Sequence, residues 1–114
     1  MADVAPEIHE VLSGVSVGDP NILATAIGLR DLGRESTGLD ARTYALVKIA
    51  ALIALDAPPV SYAWQVGNAL EEGATPEDIL GVLRAVAFQV GGPKVVAAAP
   101  EIMLALGLEL PEEA

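Results

Sequence analysis

Apolar residues recur at three- and four-residue spacing along most of the chain, and glycine, proline and polar clusters cut that pattern into helical segments. The segment Leu39 to Gly73 organises the rest. Asp40 is a good N-cap, and the run from Ala41 to Leu55 predicts the most apolar helix of the chain. Leu46, Val47, Ile49, Ala50, Ile53 and Ala54 point in most directions around its axis, so this helix is expected to be buried on most sides. Asp56 and Pro58–Pro59 stop it and start a second helix, expected over Pro59 to Glu72. Val60, Ala63, Trp64, Gly67 and Leu70 form the expected apolar face of that helix, with Ser61, Gln65, Asn68 and Glu72 opposite. Gly67 inside a helix costs about 1 kcal/mol relative to alanine, which predicts close approach of another helix there. Gly73 ends the segment in left-handed geometry.

On the N-terminal side, Pro6 opens a short predicted helix, Glu7 to Leu12, ended by Ser13–Gly14. Asp19 and Pro20 cap and start a second one running to about Leu32, and Gly33 to Gly38 reads as a polar link. On the C-terminal side, Thr75-Pro76-Glu77-Asp78 is the clearest helix start in the chain, and the helix it opens is expected to reach Val90 before Gly91–Gly92. A short helix from Lys94 to Ala98 and a last one from Glu101 to Leu106, opened by Pro100, complete the pattern; Leu108 to Ala114 reads as an acidic tail. No strand alternation and no internal repeat interrupts it. The expectation is an all-α fold of about six helices around a central antiparallel helical hairpin, in a single domain spanning 1–114.

Composition changes that picture in one respect. Of 114 residues, 53% are hydrophobic and 19% charged, more apolar material than one small globule buries. Burial between subunits would absorb the excess, so a homo-oligomer is expected. Six Lys and Arg against 16 Asp and Glu leave a formal net charge of −10. An acidic surface repels phosphate backbones and anionic membranes, so neither nucleic acid nor a membrane is an expected partner. The first residues, MADVAPEIHE, lack the basic and apolar regions of a signal peptide, and no uncharged run has membrane-spanning length, so a cytoplasmic location is the default expectation.

The chain has no cysteine, which excludes thiolate catalysis, disulfides and thiolate metal sites. His9 is the one histidine and has no metal-ligand spacing around it; no metal or cofactor is expected. The carboxylate pairs Glu71–Glu72 and Glu77–Asp78 lie at helix ends, where capping and solvation explain them. Lys48, within the apolar central helix, must reach solvent, pair, or shift its pKa downward. Arg84 is the lone charge in the middle of the Pro76 helix. Together the two cations suit a small organic acid, if both face one cleft. Ser61 has no neighbouring base to activate it; with Tyr62, Trp64 and Gln65 it can line a pocket instead.

From Gly38 to about Gly107 the chain resembles the carboxymuconolactone decarboxylase and AhpD-like (alkylhydroperoxidase-like) family. The matching features are Leu39-Asp40-Ala41-Arg42-Thr43 before the apolar helix, Asn68 to Ile79 with its Ala-Leu-Glu-Glu-Gly-Ala-Thr-Pro run, and Gly91-Gly92-Pro93. The resemblance implies an all-helical fold around a helical hairpin and assembly into dimers, trimers or hexamers with sites near subunit interfaces. Its peroxidase branch works with a CxxC pair, a histidine four residues on, and a glutamate in the preceding helix. Those positions fall here on Pro58 and Ser61, on Gln65, and on Ala45 or Leu46, so every reactive group of that branch is replaced. Without thiols, disulfide-based peroxide reduction is chemically impossible. An amide at Gln65 can orient a ligand but carries no proton near neutral pH. Two functions follow from the resemblance: a non-catalytic small-molecule-binding or structural oligomer, or a cofactor-independent decarboxylase on a small carboxylated or lactone substrate held by Lys48 or Arg84. Composition alone leaves a third, a protein-interaction module.

Overall fold

The computed structural model describes residues 3–29 and 34–112. Among them the chain is all-α, with seven helices. They fall in two compact units, Met1–Ser36 and Thr37–Ala114.

The first unit contains α1 (Pro6–Ser16) and α2 (Pro20–Thr25). The expected stop at Ser13–Gly14 does not occur. A Cβ on Gly14 would lie 2.6 Å from the Ile22 side chain, so this glycine lets α1 meet α2 rather than ending α1. Asp19 caps α2 as its position suggests, accepting from the Asn21 and Ile22 amides at 2.9 and 3.2 Å. Thr25 ends α2 well before Leu32, which lies, with Gly33, outside the described residues. Part of the expected polar link is a single helical turn, α3 (Arg34–Thr37).

The second unit holds α4 (Ala41–Leu55), α5 (Pro59–Glu71), α6 (Pro76–Val90) and α7 (Gly92–Ala105). α4 packs on α5, α6 and α7, and α7 also packs on α5 and α6. Ala45, Ile49 and Ile53, one residue per turn of α4, are fully buried. Tyr62, Val66 and Ala69 of α5, Ile79 of α6, and Ala98 and Ile102 of α7 close the core around them. Burial contributes about 1.5–3 kcal/mol for each large aliphatic side chain, which makes this stripe the main stabilising element.

Two expectations about faces are corrected. α4 is buried along a stripe, not all round: Val47, Ala51, Ala54 and Leu55 are exposed, Leu55 to 75%. α5 turns Tyr62, Val66 and Ala69 inward, whereas Ala63, Trp64 and Leu70 of the expected apolar face are exposed. A Cβ on Gly67 would meet nothing within 4 Å, so no helix among the described residues approaches it closely.

Local signals hold better. Asp40 accepts from the Thr43 amide at 2.7 Å. Thr75 and Asp78 form a reciprocal capping box, with N–H···O distances of 2.8 and 3.1 Å. Asp78 also takes Arg42 of α4 at 2.7 Å, joining the starts of α4 and α6. Asp56 ends α4 in left-handed geometry, φ 53°, so its backbone terminates the first helix of the hairpin. The two short helices expected on either side of Pro100 are one helix, α7, with Pro100 inside it. Beyond Gly107, Leu108 and Leu110 are exposed. No helix among the described residues is long and apolar enough to cross a membrane.

Candidate functional site

The inward side of the first two turns of α5 carries the most unusual polar chemistry of the second unit. Pro59 at the first helical position sets the backbone, and the Ser61 amide closes the first turn on the Pro58 carbonyl at 3.0 Å. Tyr62 and Gln65, three residues apart, then lie on adjoining sides of one face. Tyr62 is 1% exposed. Its hydroxyl and the Oε1 of Gln65 are both buried, and neither meets a hydrogen-bond partner among the described residues. Such groups cost about 1–3 kcal/mol each in lost hydration. A helix this regular has no evident reason to keep two of them one turn apart unless something else satisfies them.

The electrostatic setting is negative. Burial raises the Tyr62 phenol above its ordinary value of 10.0, and the Asp56 and Glu101 carboxylates raise it further. At neutral pH Tyr62 is therefore a firmly protonated hydrogen-bond donor, held in a field that disfavours an added negative charge.

The six residues singled out by sequence divide between inside and outside. Tyr62 and Gln65 come together at the core side of α5. Ser61, half-buried, stands one turn before Gln65. Trp64 is 41% exposed, on the outer side of the same helix. Lys48 is half-buried on α4, its ammonium 4.7 Å from the Tyr44 ring centroid, a cation–π contact within one turn. Arg84 is exposed on α6, whose inward side is given to Ile79, Leu83 and Val86. Among the described residues, no three His, Cys, Asp or Glu converge to hold a metal ion.

Sequence reading missed an apolar cavity of about 180 Å³ between α6 and α7, lined by Pro76, Ile79, Leu80 and Leu83 on one side and Ala99, Ile102, Met103 and Leu106 on the other. Its lining has ordinary helical spacing, which in sequence is indistinguishable from core.

The Carboxymuconolactone decarboxylase family has a sequence model that matches residues 20–102. No curated protein and no solved structure matches the chain.

Proposed function

Because this chain belongs to the carboxymuconolactone decarboxylase family, we propose that it is a thiol-free, self-associating member that binds a small neutral molecule at the inward side of α5. The observation that carries this reading is the pair of buried, unpartnered atoms, Tyr62 Oη and Gln65 Oε1. One is a donor and the other an acceptor, so a ligand bearing a carbonyl and a hydroxyl group satisfies both. Charge selects among such ligands. The Asp56 and Glu101 carboxylates already work against negative charge at Tyr62, so a lactone or hydroxy-ketone fits better than the organic acid that Lys48 and Arg84 suggest in sequence. Ser61, next to Gln65, supplies a further polar contact, while Lys48, Trp64 and Arg84 take no part.

Catalysis is not required by this reading. Thiol-dependent peroxidase chemistry is excluded by the absence of cysteine. Gln65 stands where the resemblance expects a histidine, and its amide orients a ligand without accepting a proton.

The test is ligand-observed NMR of the full chain with α-hydroxy-γ-butyrolactone and, separately, its ring-opened dihydroxy acid. Saturation transfer is expected to the lactone and not to the acid, and Tyr62→Phe is expected to weaken it about tenfold. Preference for the acid would return the site to a cation-held carboxylate. No transfer to either, with native mass spectrometry showing no retained ligand, would leave a structural role.

A further inference from the structure

The solvent side of α6 carries a pattern that its buried side does not require. Glu77, Gly81, Arg84 and Phe88 are spaced at helical intervals, so they share one face, and all four are exposed. Phe88 is the one phenylalanine of the chain, and it is 95% exposed. A Cβ on Gly81 would meet nothing within 4 Å, so the backbone of α6 is open to approach there. The ion pair that ties α6 to α4 uses Arg42 and Asp78, and so leaves this face to other contacts.

We propose that this face is where α6 packs antiparallel against α6 of a second copy of the chain. The argument is self-complementarity. Glu77 and Arg84 lie equally far on either side of the Leu80–Gly81 bond. A two-fold axis at that point sets Arg84 of each copy opposite Glu77 of the other, giving two reciprocal ion pairs. The same register sets Gly81 of each copy beside the axis and next to Gly81 of the other, where the missing side chains let the two backbones approach. In this register Phe88 of each copy lies level with Gly73 of the other, at the exposed turn that precedes its α6. Two chains of net charge −10 repel each other overall. Local pairing of opposite charges therefore selects this register over others.

This inference rests on the self-association in the proposed function and is independent of the ligand. Sedimentation of the full chain up to about 100 μM tests it. The wild type is expected to dimerise or to form a larger assembly containing this contact. Arg84→Glu and Glu77→Arg are each expected to weaken association at least about tenfold, because like charges then meet. Combining the two reversals is expected to restore it to within about threefold of the wild type, and Phe88→Ala is expected to weaken it about tenfold. All three positions are exposed, and unchanged helical circular dichroism checks that each variant folds. A monomeric wild type would overturn self-association altogether. An assembly indifferent to the single reversals, or not recovered by the double one, would overturn this face while leaving self-association standing.

Discussion

Asp78 shows how much one side chain can carry. It accepts from the Thr75 amide, donates its own amide to the Thr75 hydroxyl in return, and binds Arg42 of α4. The Thr75 hydrogen bond, and after it Arg42, hold its carboxyl below the ordinary value of 3.8. Asp40 is lowered in the same way by the Thr43 amide. A carboxyl depressed in the folded state stabilises fully above its unfolded value, and that contribution disappears as pH falls through the folded value. Thermal melts are therefore expected to lose stability from about pH 5 downwards, and Asp78→Asn is expected to flatten that slope. Equal slopes in the two proteins would remove Asp78 from the account. The caps were legible in sequence because a cap depends on residues three apart. The Arg42 contact was not, because it joins helices distant in the chain.

At the scale of the element, the helices follow from spacing and punctuation, but their faces do not. α5 contains hydrophobic residues at almost every angle, so periodicity alone cannot choose between Trp64 and Tyr62 as the inward aromatic. Packing against α4 and α7 decides for Tyr62 and leaves Trp64 outside. The same decision strips Gly67 of the close neighbour expected for it. Gly67→Ala is thus expected to stabilise the protein by about 1 kcal/mol, read as a rise in the denaturant midpoint with an unchanged slope. Destabilisation would mean that something does approach Gly67 in the assembled protein. α7 makes the converse point. Pro100 read as a helix opener, because proline favours a first turn. Inside α7 it lacks the amide that would bond the Val96 carbonyl, and burial of Ala98 and Ile102 on either side holds the helix through it.

For the whole molecule, the distribution of buried residues separates the two units. Among the described residues, all ten buried hydrophobic side chains lie between Ala45 and Ile102, and the Met1–Ser36 unit contributes none. A segment of that length whose described residues bury no hydrophobic side chain has little to offset its conformational entropy. A fragment spanning Thr37–Ala114 is accordingly expected to keep helical circular dichroism and a cooperative thermal transition. The Met1–Ser36 peptide is expected to be largely unfolded alone. A fragment without a cooperative transition would show that the second unit's core is insufficient by itself.

The sequence by itself determined the all-helical class, most helix starts, the left-handed stop at Gly73 and the loss of thiol chemistry. Each of these depends on composition or on residues within one turn of one another. The tertiary structure alone decided which stripe of α4 is buried and which aromatic of α5 turns inward. It also decided that two polar atoms are stranded in the core beside acidic neighbours, and that Phe88 faces outward. Those outcomes depend on which helices meet and at what rotation, and an apolar residue at helical spacing looks the same on either side.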